Sequence, residues 1–227
     1  MREWSGVIPM RRVKRGIVSI ALLFSCFAEA EGQRVYYDYF EVLPLFWRQV
    51  YPEGGATIYC AQKFDRNAGR NINIEHVYPM SWAMRALGCS SRNECRRTNR
   101  RFNQIESDMH NLYPSLREIN KVRGSAPFGD IRGETRKYGQ CDFEFDSKQR
   151  IAEPPPASRG NIARAMFYMN DSYGLRIFAR QANMLRRWHR RDPPDDEELR
   201  RNEKIETLQG NRNRFIDDPK AVDKLRF

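Results

Sequence analysis

Apolar side chains recur at helical spacing near the start of the chain. The spacing predicts a helix over residues 37–50, and Pro44 moves the start of its regular part toward the C-terminus. The apolar positions that carry this pattern are Phe40, Leu43, Trp47 and Val50.

Two segments rich in β-forming residues follow. They predict strands over 57–64 and 71–78, and the polar turn at 65–70 makes the two strands candidate hairpin partners. A short helix is predicted over 81–87, because Gly88 is a natural stop.

The next segment combines basic, extended and helical patterns. Residues 90–101 predict a basic loop, and residues 109–113 predict a short strand or extended segment. Ser115 and Glu118 match a capping box, so a helix is expected to start there and to stop at Gly124. The positions on one face of that helix are Leu116, Ile119, Asn120 and Arg123. Asn120 therefore points with the apolar side chains, and a buried carboxamide needs a partner, for which a metal is one candidate.

The C-terminal part is mainly helical by pattern. His189 lies among arginines and is expected at the surface. A strand is predicted over 141–145, and helices are predicted over 158–173, 179–190 and 195–208. The whole pattern predicts an α+β fold, mainly helical, with short strands. It contains no internal repeat, nucleotide-binding glycine loop or Ser/His/Asp elbow motif.

The first thirty residues have the pattern of a signal peptide. Four basic residues over 11–15 precede an apolar run over 16–27 that is too short to span a bilayer comfortably. Ala28-Glu29-Ala30 is a cleavage signal, so residues 31–227 are expected to form a single mature domain.

The charge balance indicates a polyanionic partner. The chain carries 40 Lys and Arg against 29 Asp and Glu, a net charge of +11. Cleavage after Ala30 leaves 35 basic and 27 acidic residues and a net charge of +8. Most basic residues are Arg, whose planar fork donates two hydrogen bonds to a phosphate. Many basic proteins bind no nucleic acid, so charge alone does not decide the function.

Cleavage also removes Cys26 and leaves four cysteines. An even number in an exported chain indicates disulfides, and three pairings are possible. A zinc site ranks below disulfides because the chain has no Cys-x-x-Cys and no histidines at finger spacing. The four cysteines are Cys60, Cys89, Cys95 and Cys141.

The candidate chemistry lies between residues 71 and 124. Two of the three histidines, His76 and His110, lie in this segment, and Glu75 precedes the first of them. Carboxylate and carboxamide oxygens suit Mg²⁺, and a neutral imidazole nearby can deprotonate a water molecule. Taken singly, each of these residues is more often a surface or hydrogen-bonded group than a catalyst.

Several sequence motifs in the chain resemble those of the bacterial endonuclease I family. The motifs that carry the resemblance are Ile74-Glu75-His76-Val77-Tyr78-Pro79, Glu106-Ser107-Asp108-Met109-His110-Asn111-Leu112 and Glu118-Ile119-Asn120 with Arg123-Gly124, followed by Tyr138-Gly139-Gln140-Cys141, Arg159-Gly160-Asn161-Ile162-Ala163-Arg164 and Leu208-Gln209-Gly210-Asn211. Several motifs in the right order form a specific signal over about residues 40–215. The resemblance implies a ββα-metal core and a periplasmic or secreted, sequence-nonspecific nuclease.

The resemblance also implies roles for individual residues. His76 is the general base, Glu75 and Asn120 hold one Mg²⁺ (Mn²⁺ or Ca²⁺ substituting in binding), and Arg92 binds the scissile phosphate or its product. His110 and Asn111 are expected to be structural or to support the site from behind, with direct ligation as the lesser alternative. The family pairing predicts the disulfides Cys60–Cys141 and Cys89–Cys95. The further phosphate-binding candidates are Arg96, Arg97, Arg100 and Arg101.

One geometric difficulty accompanies this assignment. Neighbours on a regular strand face opposite sides, so Glu75 and His76 are expected to diverge. Either the strand is twisted or bulged there, or the metal and the water lie between its two faces.

The sequence therefore predicts a monomeric endonuclease that hydrolyses DNA, with RNA as an open alternative, and leaves 5′-phosphate ends. No membrane association is expected after cleavage of the signal peptide. Two competing hypotheses are an exported basic protein that binds nucleic acid without cleaving it and a structural zinc domain.

Overall fold

The computed structural model describes residue 1 and residues 31–67, 69–133 and 136–227. The predicted signal peptide and its cleavage site therefore lie outside the described residues. Across the described part of the chain, every helix is too short or too polar to cross a membrane.

The predicted N-terminal helix is present in two parts. Helix α1 (Tyr39–Leu45) starts at Asp38, whose side chain accepts a hydrogen bond from the Phe40 amide, and continues as one π-helical turn, Phe46–Val50. Its buried face belongs to a small hydrophobic core. That core consists of Val42, Phe46, Val50, Tyr51, Met109, Leu112 and Ile205.

The predicted hairpin between 57–64 and 71–78 is wrong. The short strand β2 (Lys63–Phe64) pairs instead with β1 (Gly55–Ala56). Residues between these strands form turns, and Ile58 and Tyr59 are buried there. Their β-forming character reflects burial in the core rather than membership of a ladder.

The central sheet pairs two strands that are distant in the sequence. Strand β3 (Ile72–His76) runs antiparallel to β4 (Leu112–Leu116), with Glu75 opposite Tyr113 and His76 opposite Leu112. Helix α5 (Arg117–Arg123) follows β4 directly and ends at Gly124. These three elements form the expected ββα unit. The extended segment predicted over 109–113 is only partly observed. Residues Met109–Asn111 form a 3₁₀ turn, and the strand begins at Leu112.

The predicted capping box at Ser115 is wrong. Ser115 lies in β4 and is buried, and Leu116 occupies the N-cap of α5 without a side-chain hydrogen bond. Pairing with β3 holds Ser115 in the sheet, so its hydroxyl does not reach the first turn of the helix.

The basic segment 90–101 is helical, contrary to the predicted loop. Helix α2 (Met80–Ala86), which was predicted, is followed by α3 (Arg92–Thr98) and α4 (Arg100–Glu106). Ser91 and Asn99 cap the last two helices by accepting hydrogen bonds from backbone amides in their first turns. Arg has a high helix propensity, and the two caps are sufficient to start and separate the helices.

The three predicted C-terminal helices agree with prediction within a few residues and are observed as α6 (Arg159–Tyr173), α7 (Ala179–Arg191) and α8 (Asp196–Gln209). A further short helix, α9 (Arg214–Asp217), was not predicted. Ser158 occupies the N-cap of α6 but makes no side-chain capping bond. The strand predicted at 141–145 is observed as β5 (Glu144–Asp146), which pairs with β6 (Ile151–Glu153).

The prediction that His189 lies at the surface is wrong. His189 is 3% exposed, and its Nε2 lies 2.9 Å from the carbonyl oxygen of Pro219. Its neighbours in sequence are arginines, but helix α7 turns this one position toward α6.

Both predicted disulfides are present. Cys60 is bonded to Cys141 across 81 residues, and Cys89 is bonded to Cys95 across 6 residues. The four cysteines are thereby used, so none of them provides a thiolate ligand for zinc.

Candidate active site

A cleft of about 630 Å³ lies between β3, α5 and the first turns of α2 and α3. The residues that line it include Glu75, His76, Arg92 and Asn120. The structure thus brings together the four residues to which the sequence assigned chemistry, although they span 46 positions in three different elements.

Glu75 is held on one side of β3 by two buried side chains. Its Oε1 accepts hydrogen bonds from the Tyr59 hydroxyl at 2.7 Å and from Arg123 Nη1 at 2.8 Å. Burial raises the pKa of Glu75, while the Arg123 charge and the Tyr59 hydroxyl oppose this rise. Both side-chain bonds converge on Oε1, and the His76 backbone amide also hydrogen-bonds to the carboxylate. Glu75 itself lines the cleft.

Arg123 is a buried cation that organises this end of β3. Its side chain is fully buried, and besides Glu75 it donates to the carbonyl oxygens of His76 at 3.2 Å and Val77 at 2.7 Å. Its guanidinium also stacks over the Phe128 ring at 4.5 Å. These contacts fix both the carboxylate and the backbone that carries the histidine.

Asn120 is oriented by β3 as well. Its Nδ2 donates to Asn73 Oδ1 at 3.0 Å and to the carbonyl oxygen of Ile74 at 3.1 Å. The carboxamide is therefore turned so that its own oxygen, Oδ1, is available to the cleft. The side chain faces β3 as expected, but it is half-buried and borders the cleft, whereas the sequence predicted a buried carboxamide.

His76 lies on the opposite side of the strand end. It is 8% exposed, and its Nε2 lies 2.9 Å from the carbonyl oxygen of Glu106. A carbonyl oxygen only accepts, so Nε2 carries the proton and Nδ1 is the basic nitrogen. Burial, together with the charge of Arg92, lowers the pKa of His76 to about 3.

The divergence of Glu75 and His76 is real. Strand β3 pairs residue for residue with β4 through both positions, without a bulge. Glu75 reaches Tyr59 and Arg123, whereas His76 reaches helix α4. Both nevertheless border the same cleft, because the strand ends at His76. A metal and a water between the two faces fit this arrangement, and a bulge is not needed.

Glu106 links the imidazole to two arginines. Its carboxylate is 1% exposed and binds Arg92 Nε, Arg96 Nε at 2.8 Å and Arg96 Nη2 at 2.9 Å. Both guanidinium groups also lie over the Tyr39 ring, at 5.7 and 5.8 Å from its centroid. A buried carboxylate with charged donors on both oxygens holds the arginines in a fixed geometry. Arg92 is left 44% exposed at the cleft.

The remaining arginines of this segment separate into two groups. Arg97 is exposed on α3. Arg100 lies over the Tyr37 ring at 4.1 Å, and Arg101 donates to the carbonyl oxygen of Tyr173 at 2.8 Å. Neither Arg100 nor Arg101 lines the cleft.

His110 and Asn111 do not line the cleft either. His110 is fully buried, its Nε2 lies 3.0 Å from the carbonyl oxygen of Asn211, and burial lowers its pKa to about 4. Asn111 accepts from the Tyr78 amide at 2.6 Å and donates to the Tyr78 carbonyl at 3.1 Å. Its side chain thereby joins the end of β3 to β4, which agrees with the structural role expected from the sequence.

Sequence reasoning gave no role to Tyr59, Glu106 or Arg123. Glu106 and Arg123 belong to the family motifs, and this membership could have marked them as site residues. Tyr59 belongs to none of these motifs. Their contacts with the site cross between 14 and 48 positions of sequence. No local spacing connects residues at such separations.

The chain is similar to several known nucleases. The family model described as Endonuclease I matches residues 49–220. An extracellular deoxyribonuclease of Aeromonas hydrophila is 38% identical over 174 residues, 75% of each chain. Endonuclease-1 of Buchnera aphidicola subsp. Acyrthosiphon pisum is 33% identical over 178 residues, 76% of this chain and 70% of the relative. An extracellular ribonuclease of Bacillus amyloliquefaciens is 32% identical over 137 residues, 52% of this chain and 46% of the relative.

Proposed function

Because this chain belongs to the endonuclease I family, we propose that it is an exported, sequence-nonspecific endonuclease that hydrolyses DNA with one divalent metal ion and a histidine base. The observation that carries the proposal is the convergence of Glu75, His76, Arg92 and Asn120 on one cleft. A protein that only binds nucleic acid has no need of a buried carboxylate and an oriented imidazole beside its basic surface.

The donor set in the cleft fits a hard divalent cation. Glu75 and Asn120 both line the cleft, and the carboxamide oxygen of Asn120 remains after its nitrogen is satisfied. Mg²⁺ prefers such oxygen ligands and keeps several of its waters, so two protein ligands suffice. When bound, the ion supplies positive charge that stabilises the phosphate and the departing oxygen. Mn²⁺ and Ca²⁺ share this ligand preference, and we expect them to substitute in binding.

His76 takes the proton from the attacking water. Nε2 donates to the Glu106 carbonyl, so Nδ1 is the nitrogen with the free lone pair, and the lowered pKa means that the ring is unprotonated at neutral pH. The oxygen of this water forms the new bond to phosphorus while the bond from phosphorus to the 3′-oxygen breaks. The 3′-oxygen takes up a proton from solvent, so the products are a 3′-hydroxyl and a 5′-phosphate, and His76 returns the proton it accepted to solvent.

Arg92 binds the phosphate that is cleaved. The Glu106 carboxylate engages its Nε, which leaves the two terminal nitrogens for the substrate. Preorganised donors of this kind stabilise the charge that develops on the phosphate oxygens. Arg97 and the net positive charge of the mature chain supply further contacts with the backbone, which do not depend on sequence.

Export of the mature protein agrees with the names of its relatives, several of which are extracellular or periplasmic deoxyribonucleases. We place residues 31–227 in one monomeric nuclease domain. RNA is a second candidate substrate, because the chain also resembles an extracellular ribonuclease.

The experiment that tests the proposal is incubation of the mature protein with supercoiled plasmid and with single-stranded RNA, with Mg²⁺ and with EDTA. Cleavage in Mg²⁺ that EDTA abolishes is the expected result, with 5′-phosphate ends shown by ligation of the products without kinase treatment. His76→Ala is the matched control for contaminating nucleases. Binding without cleavage by the wild-type protein would support the exported binding protein instead.

A further inference from the structure

A second groove, of about 440 Å³, adjoins the catalytic cleft along β3. We call it the aromatic groove. The residues that define it are Tyr39, Leu43, Trp47, Ile72, Asn73 and Arg117. Tyr39, Leu43 and Trp47 come from α1 and the π turn after it, and Ile72 and Asn73 come from β3.

The aromatic groove is continuous with the catalytic cleft. Asn73 and Ile74 line both. Asn73 is also the residue whose side chain orients the Asn120 carboxamide, at 3.0 Å. The Tyr39 ring, which lines the groove, lies 5.1 Å from the His76 ring. A nucleotide next to the cleaved phosphate is therefore within reach of the groove.

The walls of the groove suit a flat, uncharged ring attached to a phosphate. Trp47 is partly buried, and T-shaped contacts with Phe46 at 4.9 Å and Phe64 at 6.0 Å fix its position. Arg117 is exposed, and its Nε donates to the Arg70 carbonyl at 3.1 Å. The terminal nitrogens of that guanidinium remain for a phosphate. Among the described residues that line the groove, none is acidic.

We propose that the aromatic groove binds the base of an unpaired nucleotide adjacent to the scissile phosphate, with Trp47 as the stacking surface and Arg117 at the neighbouring phosphate. This inference rests on the proposed nuclease function and names its preferred substrate class, which is single-stranded nucleic acid. A paired base is stacked inside its duplex and reaches such a groove only after unpairing. Stacking on an aromatic ring accepts every base, so the groove preserves sequence-nonspecific cleavage.

The test uses single-stranded oligodeoxynucleotides with one ordinary phosphodiester among phosphorothioate linkages that resist hydrolysis. An abasic nucleotide replaces each position in turn near the cleavable bond. For the wild-type enzyme, one adjacent position should lower kcat/KM by roughly 5- to 100-fold when its base is missing, the range expected for one stacked base. Trp47→Ala should lower kcat/KM for the intact strand by a similar factor and remove the sensitivity to that position. Trp47→Phe, which keeps an aromatic ring, should retain most of the wild-type kcat/KM and most of the sensitivity to that position.

The control is Phe178→Ala, which removes a 58% exposed aromatic that also has an arginine over its ring, Arg176 at 5.0 Å, but lies at the N-cap of α7. It should leave the abasic scan unchanged. Trp47→Ala should also reduce the preference for single strands over duplex, measured as a ratio of kcat/KM. Urea unfolding of each variant separates loss of stacking from loss of fold.

The outcomes separate this inference from the proposed function. If the wild-type enzyme cleaves in Mg²⁺ but no abasic position matters, or if Trp47→Ala keeps the wild-type sensitivity, the groove is not a base subsite. If the wild-type protein cleaves nothing, the proposed function fails. The subsite is then judged by fluorescence anisotropy of the same intact and abasic strands on the wild-type protein and on Trp47→Ala. Equal affinities for the two strands would overturn it.

Discussion

The Nε2 atom of His76 lies 2.9 Å from the backbone carbonyl oxygen of Glu106. The side chain of the same glutamate binds Arg92 and Arg96. One residue on α4 therefore positions the proposed general base through its backbone and the proposed phosphate-binding arginine through its carboxylate. The two functions are separable by mutation, because a side-chain change leaves the carbonyl in place.

His76 and His110 are expected to stay neutral at pH values well below the usual histidine pKa of about 6.5. Burial lowers the pKa of His76 to about 3 and that of His110 to about 4, so both rings should be largely neutral at pH 5. The measurement is a titration of the ring carbon-bound protons by NMR. A ring that titrates near pH 6.5, assigned to either residue by His→Gln substitution, would contradict this.

The same shifts fix the sign of the pH dependence of stability. The unfolded chain binds protons at these histidines below about pH 6.5, whereas the folded chain does not until about pH 4 or lower. The free energy of unfolding should therefore fall as the pH drops from 6.5 toward 4, by up to about 1.4 kcal/mol per pH unit for each histidine. Urea unfolding at a series of pH values checks this. The slope should become shallower in His110→Gln.

Glu106→Gln should lower kcat by about 10²-fold, because Arg92 and Arg96 lose the charge that positions them. The His76 ring should remain neutral at pH 5, since the burial that chiefly lowers its pKa is unchanged. Kinetics on plasmid DNA and the NMR titration give the two readouts. The control is Glu94→Gln, which alters an exposed acid of α3 whose carboxylate accepts from the Ser90 amide. Wild-type kinetics in Glu106→Gln would show that the arginines need no such anchor.

Metal rescue should distinguish the base from the metal ligands. His76→Ala should lose about 10²- to 10⁴-fold in rate, and added Mg²⁺ should not restore it. Asn120→Ala and Glu75→Gln should weaken Mg²⁺ binding, so excess Mg²⁺ should restore part of their activity. The measurement is the cleavage rate against Mg²⁺ concentration, with circular dichroism to confirm folding. Equal rescue of His76→Ala and Asn120→Ala would make His76 a ligand rather than a base.

Arg123→Met should affect both stability and metal binding. It leaves the buried Glu75 carboxylate without its cation, which should cost about 3–5 kcal/mol of unfolding free energy. It also removes an influence that lowers the pKa of Glu75, so Mg²⁺ affinity should fall more steeply with decreasing pH than in the wild type. Arg164→Met is the matched control, because it breaks the buried ion pair with Glu198 far from the cleft. It should destabilise similarly and leave Mg²⁺ affinity unchanged.

The arginines of α3 and α4 should differ in their contribution to DNA binding. Arg97→Ala should reduce the slope of log affinity against log salt by about 0.9, the value for one lost phosphate contact on duplex DNA. Arg101→Ala should change it little, because that guanidinium already donates to the Tyr173 carbonyl. Binding is measured with the inactive His76→Ala protein over a range of NaCl. The opposite ranking would place the DNA across the Tyr173 side of the molecule.

Some of the site could be read from local order in the chain. The helix that carries Asn120, its stop at Gly124 and its inward carboxamide follow from side chains three and four positions apart, which meet on one helix face. The long C-terminal helices were predicted for the same reason. The Glu75-His76 pair and the other motifs are short contiguous segments that can be recognised in the sequence. The family resemblance supplied their roles and the disulfide pairing.

The errors have a common physical origin. Segment 57–64 looked like a strand because its side chains suit burial, but they are buried as a turn. Segment 90–101 looked like a loop because it is charged, but Ser91 and Asn99 cap two helices there and Glu106 neutralises the inner arginines. His189 looked exposed for the same reason. Residue type predicts the average burial and secondary structure of a position, but it does not predict which partner the side chain contacts in the folded protein.

The sequence by itself determined the chemistry that this protein carries, namely an acid, an imidazole, a carboxamide and an arginine within one motif-bearing segment. Only the tertiary structure decided how they are used. Pairing of β3 with β4 across some forty positions, the Arg123 pair with Glu75 and the double role of Glu106 bring together groups that no local spacing connects. Contacts of this kind form only when the whole core closes, because burying a charge is favourable only if its partner is buried with it.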